Sequence, residues 1–403
     1  MKDFCPYITN DGSVGLYSKE FNDIYHSTFG AYAEACEKFV LPADIDFYMQ
    51  NFSEINVLDI CYGIGYNSKS FLNFFFEKFF KKNVNVNRHN DTIYSDNISS
   101  RKIYIKAVDT DKELIFLSPF FTCNAKHKPE NQNLPTEKVE HLCTGKIEKQ
   151  YDYDNFINYL LIEKLAENFP DFLNSDFLEL YLREKDKSLF FDNAGVKYYR
   201  FLQKKRMSGA SVRSLNALLH NIYYLNISSR YKKAQKALKM DVFNIDYHIE
   251  DARKTLMEDN KIYQLIFLDA FTPEKCPCLW SVDFFKLLHK HLDENGRILT
   301  YSNSARIRNA FLAAGFYVGK IYNERAGNFT GTIAVKNKSF IKYPLSDYDL
   351  RLMKTRAGIF YRDENLNALN EAIIARNKFE VENSPLMSSS KFIKEYRKEH
   401  QNV

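Results

Sequence analysis

No part of the 403-residue chain approaches the roughly 18–20 consecutive apolar residues that a membrane-spanning helix needs. The N-terminal sequence MKDFCPYITN lacks a basic region followed by an apolar core, so we expect no secretory signal peptide. No Gly-Lys-Ser/Thr sequence closes a glycine-rich loop, which excludes a P-loop. These absences favour a cytoplasmic protein that does not enter a membrane.

Cysteine and glycine are scarce, with 7 and 14 residues respectively. Cys276 and Cys278 form a single C-x-C without a second pair at the spacing of zinc ligands, so we expect no metal site. An odd number of scattered cysteines is typical of free thiols in a reducing cytosol. Because glycine is rare, a loop that contains two glycines is informative.

Acidic residues are missing from one long segment, 201–240, which we call the basic segment. Its cations are Lys204, Lys205, Arg206, Arg213, Arg230, Lys232, Lys233, Lys236 and Lys239. The net charge of the whole chain is only +5, so this segment is a strong local concentration. It predicts a surface that binds nucleic-acid phosphates, and a solvated helical face is the open alternative.

The remaining pattern is that of a soluble globular protein, with 45% hydrophobic and 27% charged residues. Strand-like and helix-like segments alternate, which predicts an α/β fold with a parallel sheet. The predicted strands are Ile55–Ile60, Lys102–Val108, Phe243–Ile249, Tyr263–Leu268, Arg297–Tyr301, Phe316–Tyr322 and Thr330–Val335. The predicted helices between them are Ser68–Phe80, Ala252–Glu258, Ser281–Leu292 and Ser304–Ala314.

Two stretches interrupt the alternation. The Asn-rich stretch Asn83–Arg101 predicts a loop, and Ser118–Met240 predicts a long insertion that contains helices at Asp154–Asn168 and Leu215–Ile227. The chain is therefore divided into an N-terminal entrance segment, two parts of a Rossmann-like domain, a basic and mainly helical insertion, and a C-terminal extension. The corresponding ranges are 1–52, 53–118 and 241–338, 119–240, and 339–403.

A glycine loop directly after the first strand indicates a nucleotide-type cofactor. Gly63 and Gly65 allow a ligand to approach the backbone closely. Ser68 stands where an NAD-type loop has its third glycine. Asp59, four residues before the first glycine, suits S-adenosylmethionine (SAM), because its carboxylate can orient the loop amides and accept from the cofactor's ammonium group.

Acidic residues also end the next two strands. Asp109 is placed to accept both ribose hydroxyls, and the pair Glu250–Asp251, followed by Ala252, lies where an adenine amino group is expected. Asp251 has an equally good alternative role as a helix cap. Acids at three successive strand ends predict a SAM-type methyltransferase, because ligands of doubly wound sheets bind outside those ends.

The fourth strand ends at Asp269, which is expected beside the glycine loop and the sulfonium. A carboxylate there can orient a neutral amine and stabilise the ammonium that forms as the amine attacks. Its open alternative is that Asp269 binds only the ammonium group of the cofactor. Phe271 and Pro273 predict a wall for a planar substrate, Lys275 is a further substrate-side candidate, and Trp280 is expected to pack rather than stack on a base.

Together these motifs resemble the methyltransferase domain of the MnmC family, which takes part in the biosynthesis of tRNA 5-methylaminomethyl-2-thiouridine. The resemblance covers about 260 residues outside the insertions; the glycine loop is generic, and the motif around Asp269 is specific. Cys61 replaces the family's first loop glycine. The matching segments are Gly12–Ser18, Asp23–Ser27, Gly30–Ala35, Phe39, the glycine loop through Asn67, Phe267–Trp280, Gly358–Asp363 and Ile373–Arg376.

The resemblance implies a class I methyltransferase with a seven-stranded sheet that uses SAM to methylate the amine of 5-aminomethyluridine at the tRNA wobble position. It implies that Asp269 faces the amine, that Asn67 lies at the cofactor site, that Glu34 lies near the cofactor or the substrate entrance, and that Tyr25 closes over the cofactor. It further implies docking of the anticodon stem-loop and a link to enzymes acting earlier on the wobble uridine. The FAD-dependent oxidase domain of bifunctional members is missing, so no flavin is expected.

Two other functions stay open at this point. An aminopropyltransferase resembling spermidine synthase shares the fold and an Asp beside the amine, but its small polycationic substrate gives no reason for a basic docking surface. A non-catalytic RNA-binding protein could retain the same fold. The acids Asp59, Asp109 and Asp269 argue against it, and failure to bind SAM would support it.

Overall fold

A computed structural model describes residues 4–18, 23–25, 29–85, 101–123, 153–208 and 225–400. The strands are β1 Phe4–Ile8, β2 Val14–Ser18, β3 Asp23–Ile24, β4 Glu54–Ile60, β5 Lys102–Asp109, β6 Phe243–Ile249, β7 Tyr263–Leu268, β8 Leu292–Thr300, β9 Tyr317–Asn323 and β10 Asn328–Val335. The first helices are α1 Ala31–Ala35, extended by a π-helical turn Cys36–Val40, then α2 Leu41–Ala43, α3 Ile45–Asn51, α4 Tyr66–Asn85 and α5 Lys112–Leu117. The later ones are α6 Phe156–Asn168, α7 Asp176–Tyr181, α8 Asn193–Ser208, α9 Leu225–Lys239, α10 Ala252–Met257, α11 Val282–His291, α12 Ala305–Ala313, α13 Asp347–Met353, α14 Asn370–Glu382 and α15 Ser389–His400.

The central sheet has seven strands in the order β6-β5-β4-β7-β8-β10-β9. The pairs from β6 to β8 are parallel, and β10 is antiparallel to both of its neighbours. All six residues of β7 are buried, as expected for a central strand covered on both faces. The predicted α/β fold with a parallel sheet is therefore confirmed, and the carboxyl ends of β4, β5, β6 and β7 meet at one edge.

The N-terminal segment forms a small antiparallel sheet, β1-β2-β3, that is fastened to the edge where those strands end. Ser13 Oγ accepts from the backbone amides of Ala31 and Tyr32, at 3.0 and 3.1 Å, and so caps α1. The hydroxyl of Tyr66, at the start of α4, accepts from the Val14 amide at 2.9 Å. These contacts place α1 next to the loop between β4 and α4.

The helices between β5 and β6 do not form a separate core. Phe156 and Tyr159 of α6 belong to the same buried cluster as Ile103 and Phe243 of the sheet. Phe156 packs edge-on against Phe76 of α4, with ring centroids 5.3 Å apart. The insertion is helical as expected, while the limits of the five-part division stay a prediction.

The C-terminal helices α13–α15 lie on the outside of the second half of the sheet. The carboxylate of Asp349 on α13 contacts Arg308 of α12 at 3.0 Å and Lys320 of β9 at 3.2 Å. Asn377 of α14 donates to the carbonyls of Ile359 and Phe360, at 3.2 and 3.1 Å. No helix in the described ranges is both long and apolar enough to span a bilayer.

Two boundaries were predicted wrongly by several residues: β8 begins at Leu292 rather than at Arg297, and α4 ends later than expected. α4 continues to Asn85, so Asn83–Asn85 are helical rather than part of a loop. The asparagine-rich composition predicts a loop, but α4 continues beyond the stacked Phe76 and Phe80 rings. The rest of that predicted loop up to residue 100, and the predicted helix Leu215–Ile227 up to residue 224, lie outside the described residues.

Candidate active site

In the turn between β4 and α4, every second residue from Cys61 to Gly65 has a positive φ. Cys61, Gly63 and Gly65 have φ of 62°, 56° and 73°. A Cβ on Gly65 would lie 2.3 Å from the Tyr62 ring, whereas one on Gly63 would meet only Cys61 O and Tyr25 Cδ1, both at 3.9 Å. Gly65 is therefore needed for packing, while Gly63 leaves backbone open beneath the Tyr25 ring.

Asp109 at the end of β5 holds this loop directly. Its Oδ2 accepts from the Gly63 amide at 2.7 Å, and its Oδ1 accepts from the Asp111 amide at 2.8 Å. Burial raises the pKa of Asp109 to about 6. Each oxygen keeps a second lone pair, and acceptance of both ribose hydroxyls by this carboxylate stays a prediction.

Asp59 differs from one part of its prediction, and its contact with the ammonium group of the cofactor stays a prediction. Asp59 was predicted to orient the loop amides, but its Oδ2 accepts from Ser68 Oγ at 2.6 Å, and Asp109 binds the loop amide instead. Asp59 Oδ1 is buried without a hydrogen-bond partner in the described structure. Burial raises the pKa of Asp59 to about 8. Such an acceptor fits a cationic donor, and the ammonium group of SAM supplies one.

The side chains of the acidic pair Glu250–Asp251 after β6 form hydrogen bonds and ion pairs with residues of α10. Asp251 caps α10 by accepting from the Arg253 amide at 2.8 Å, so its alternative role as a cap is confirmed. Both of its oxygens also accept from the Arg253 guanidinium. Glu250 pairs with Lys254, and Ala252 is buried as the first residue of α10. Any contact of these residues with adenine stays a prediction.

Arg253 links this strand end to the C-terminal extension. Its Nη1 donates to Asp363 Oδ2 at 2.7 Å and to the Ala368 carbonyl at 2.9 Å. Asp363 is 1% exposed and also accepts from the amides of Asn367 and Ala368. The C-terminal segment thus fixes the loop after β6 through a buried charge pair.

Asp269 lies at the end of β7, next to the first helical turn of α4. Asn67 Nδ2 donates to Asp269 Oδ2 at 2.9 Å, and no described residue bonds the other carboxylate oxygen. Burial raises the pKa of Asp269 to about 6. The hydrogen bond from Asn67 lowers that pKa, the carboxylate of Glu34 raises it, and the ammonium of Lys38 lowers it. Glu34 and Lys38 form an ion pair on the adjoining helix.

Aromatic residues form the wall on the far side of Asp269. The rings of Phe271 and Tyr25 lie 5.2 Å apart, so the N-terminal segment and the loop after β7 meet above the glycine loop. Trp280 is fully buried and donates from Nε1 to the Phe271 carbonyl at 2.8 Å, which confirms that it packs. Tyr301 donates to the Ala270 carbonyl at 2.9 Å.

The described cations of the basic segment lie beside the outer strand β6 rather than at Asp269. Arg206 donates to the Pro170 carbonyl at 2.8 Å, and Lys204 is exposed on the same helix. Lys233 pairs with Asp154 and lies over the Phe156 ring, 4.4 Å from its centroid. β6 and β7 are three strand positions apart, so about 14 Å separates these two strands.

Four other predicted substrate residues are Lys205, Arg213, Arg230 and Lys275. Arg213 lies outside the described residues, and the side chains of Lys205 and Arg230 lie outside them as well. Lys275 is exposed in the turn after Phe271, and its amide donates to the Thr272 carbonyl at 2.8 Å. Substrate contact by any of these residues stays a prediction.

Sequence reasoning missed residues whose roles depend on distant contacts. Lys38, Tyr301, Arg253 and Asp363 support the predicted site without belonging to its strand-end motifs. Only the acidic Asp363 within the C-terminal family motif offered a signal in the sequence. Its partner Arg253, 110 positions away, could not be identified from spacing.

Comparison with known proteins agrees with this geometry. Residues 215–333 match the model of a family described as S-adenosyl-L-methionine-dependent methyltransferase. The crystal structure of MnmC2 from Aquifex aeolicus superposes with a TM-score of 0.55 at 20% identity, covering 95% of this chain and 87% of that one.

Two curated relatives add to the comparison. An uncharacterized protein of Methanocaldococcus jannaschii is 23% identical over 368 residues, 91% of this chain and 69% of its own length. The tRNA 5-methylaminomethyl-2-thiouridine biosynthesis bifunctional protein MnmC of Campylobacter fetus is 26% identical over 165 residues, 41% of this chain. The aligned part spans only 22% of that bifunctional protein.

The seven-stranded sheet, the glycine loop and the matched family together define a class I SAM-dependent methyltransferase. Within that class, the chain is similar to the methyltransferase part of MnmC proteins in fold and in short stretches of sequence.

Proposed function

We propose that this methyltransferase transfers a methyl group to the amine of 5-aminomethyluridine, with or without 2-thiolation, at the wobble position of a tRNA in the cytoplasm. The observation that carries the proposal is Asp269, a half-buried carboxylate with one oxygen bonded to Asn67 and the other available. The names of the MnmC relatives supply the tRNA context.

The chain's own residues would orient the neutral amine. The available Asp269 oxygen accepts a hydrogen bond from the amine, and Asn67 keeps the carboxylate from rotating. As the nitrogen bonds to carbon it becomes cationic, and the nearby carboxylate stabilises that charge. SAM supplies an electrophilic methyl group on its sulfonium, and Asp59, Asp109 and the Gly63 backbone would hold it.

The wall above the loop would exclude water and align a planar base. Tyr25 and Phe271 approach each other over the glycine loop, so a uracil ring can lie against them while its aminomethyl arm reaches Asp269. An enzyme acting earlier must install the aminomethyl group at C5, because the proposed reaction begins with that amine. The family match favours methyl transfer over aminopropyl transfer.

The proposal is tested by incubating the protein with SAM labelled on its methyl group and with tRNA carrying 5-aminomethyluridine. Matched tRNA with unmodified uridine at the same position, and the Asp269→Asn variant, are the controls. We expect label in 5-methylaminomethyluridine after nucleoside digestion, only with the aminomethylated tRNA and the unaltered protein. Label in another nucleoside, or equal labelling of unmodified tRNA, would refute the proposed substrate.

A further inference from the structure

Three aromatic rings cluster at the end of the sheet that carries β9 and β10. Tyr322, Phe329 and Tyr343 form a triangle with centroid distances of 5.2, 5.4 and 5.8 Å, and we call it the aromatic platform. Phe329 is 39% exposed, although its ring is large and apolar. The methyl-transfer site described above does not use these rings.

The backbone holds the platform firmly. Phe329 of β10 is directly opposite Tyr322 of β9 in the antiparallel register. The Lys320 amide donates to the Tyr343 carbonyl at 2.8 Å, and Gly319 forms a bridge with Pro344. The three rings therefore lie on three adjacent stretches of paired backbone, which lowers the conformational entropy that binding would have to remove.

Two cations accompany the rings. Lys320 Nζ lies 4.1 Å from the Phe329 centroid and 3.2 Å from Asp349, so its position is fixed. Lys342 Nζ lies 5.0 Å from the Tyr343 centroid, and this side chain is 75% exposed. Aromatic faces beside ammonium groups match the stacked bases and phosphates of single-stranded nucleic acid.

The platform lies at the same edge of the sheet as the reacting carboxylate. The Phe329 carbonyl accepts from Asn303 Nδ2 at 3.1 Å, and Asn303 lies two residues after Tyr301, which binds the Ala270 carbonyl beside Asp269. β7 and β10 are separated only by β8, so these two strands are about 10 Å apart, and β9 with Tyr322 is about 14 Å from β7. A few nucleotides of RNA span these distances.

Tyr322, Tyr343, Lys320 and Lys342 also line a cavity of about 390 Å³. That volume is within the range of sites that hold small organic molecules. It gives a base or sugar beside the platform a concave place to enter.

We propose that the aromatic platform stacks a nucleobase that flanks the target nucleotide in a single-stranded loop of the RNA substrate. Loop bases of RNA are often splayed out and stacked on aromatic side chains, and stacking tolerates any base because each has a π-face. The inference rests on the proposed function for its substrate. It adds a second point of contact that orients the loop about Asp269.

The test compares Phe329→Leu, which keeps an apolar side chain without a ring, with Phe329→Trp, which keeps a ring. Affinity for a fluorescent anticodon stem-loop RNA is measured by anisotropy without SAM, and steady-state methylation of aminomethylated tRNA is measured in parallel. We expect Phe329→Leu to weaken RNA binding roughly 5- to 100-fold and to raise the KM for tRNA. Phe329→Trp should bind like the unaltered protein, and both variants should keep kcat at saturating tRNA and the affinity for SAM.

Lys342→Gln gives an independent readout. It should flatten the dependence of log affinity on log salt by about one phosphate contact, which Phe329→Leu should not do. The proposal that the aromatic platform stacks a nucleobase would be overturned by equal RNA affinity of Phe329→Leu and the unaltered protein. Equal losses of RNA affinity in Phe329→Leu and Phe329→Trp would overturn it as well. RNA binding that depends on the ring, without methylation of the amine, would instead refute the proposed function and leave the platform standing.

Discussion

The two halves of the sheet hold the residues at their carboxyl ends in different ways. In the half formed by β4, β5 and β6, Asp59 and Asp251 bond to groups within their own strand–helix connections, Ser68 and Arg253, and Asp109 reaches only the Gly63 amide of the neighbouring loop. In the half that begins with β7, Asp269 depends on Asn67, 202 residues away, and the loop behind it depends on Tyr301.

The difference has a simple consequence for function. The first half consists of local motifs that suit a cofactor common to many methyltransferases, while the second half is assembled from distant segments and can be adapted to one substrate. Substitutions in the first half should therefore change cofactor binding, and substitutions in the second half should change transfer.

The largest effect is expected for Asp269→Asn. Loss of the carboxylate should lower kcat by about 10²- to 10⁴-fold, because the amine loses the group that orients it and accepts its charge. SAM affinity, measured by calorimetry, should change little. Asp246→Asn on the half-exposed surface of β6 is the matched control and should leave transfer within about twofold. A variant with full activity would remove Asp269 from the mechanism.

The pH dependence of kcat/KM tests the role of the Asp269 carboxylate independently. Burial raises the pKa of Asp269 to about 6, so kcat/KM should fall as the pH drops through 6 and the carboxylate is protonated. The amine substrate also gains a proton as pH falls, and that dependence should persist in Asp269→Asn. The limb near pH 6 should be missing from the variant; an unchanged profile would assign that limb to another group.

On the cofactor side, Gly65→Ala should weaken SAM binding by roughly tenfold or more. The new Cβ would lie 2.3 Å from the Tyr62 ring, and the residue would retain a φ of 73°, which alone costs about 1–2 kcal/mol. Gly327→Ala is the control, since its φ is 64° but no atom lies within 4 Å of the added Cβ. Calorimetry should show SAM binding impaired only in the first variant; equal losses would point to general instability.

Between the two halves, Asp363→Ala should destabilise the fold by about 3 kcal/mol, because it leaves the Arg253 guanidinium buried without this partner. Urea unfolding measures the change in the free energy of unfolding. Glu364→Ala, which removes an exposed partner of Arg362 and Arg376, should cost less than about 1 kcal/mol. Similar costs for both variants would contradict a special role for the buried pair.

The smallest effect is expected in the basic segment. Changing the exposed Lys232, Lys236 and Lys239 of α9 together to Gln should weaken tRNA binding several-fold and flatten its salt dependence. The same change at Lys391, Lys394 and Lys398 of α15 removes equal charge elsewhere and is the control. Filter binding at several salt concentrations measures both; equal slopes for the two triple variants would assign the basic segment to solubility.

Much of the cofactor half was predictable because its signals are local. A strand followed by Gly63 and Gly65, and acids at Asp59, Asp109 and Asp251, can be recognised without knowing the contacts, and strand β6 was predicted with its observed limits. The bond from the Gly63 amide to Asp109 rather than to Asp59 was not predictable. It depends on which carboxylate lies nearer the Gly63 amide once β4 and β5 pair in register.

The second half was predictable only in outline. Asp269, Phe271 and Trp280 were identified from a motif, but Tyr301 and Lys38 come from other segments and became neighbours through folding. The aromatic platform shows the same limit, since Tyr343 reaches Tyr322 only because its backbone pairs with the edge of β9.

The amino-acid sequence by itself determined the alternation of strands and helices and the acids and glycines that end the strands, because periodicity and turn chemistry act over a few residues. The tertiary structure alone decided which carboxylate binds which amide, how Arg253 reaches Asp363, and where the lysines lie relative to Asp269. Those choices depend on burial and on distances between residues far apart in the chain, and no local pattern encodes them.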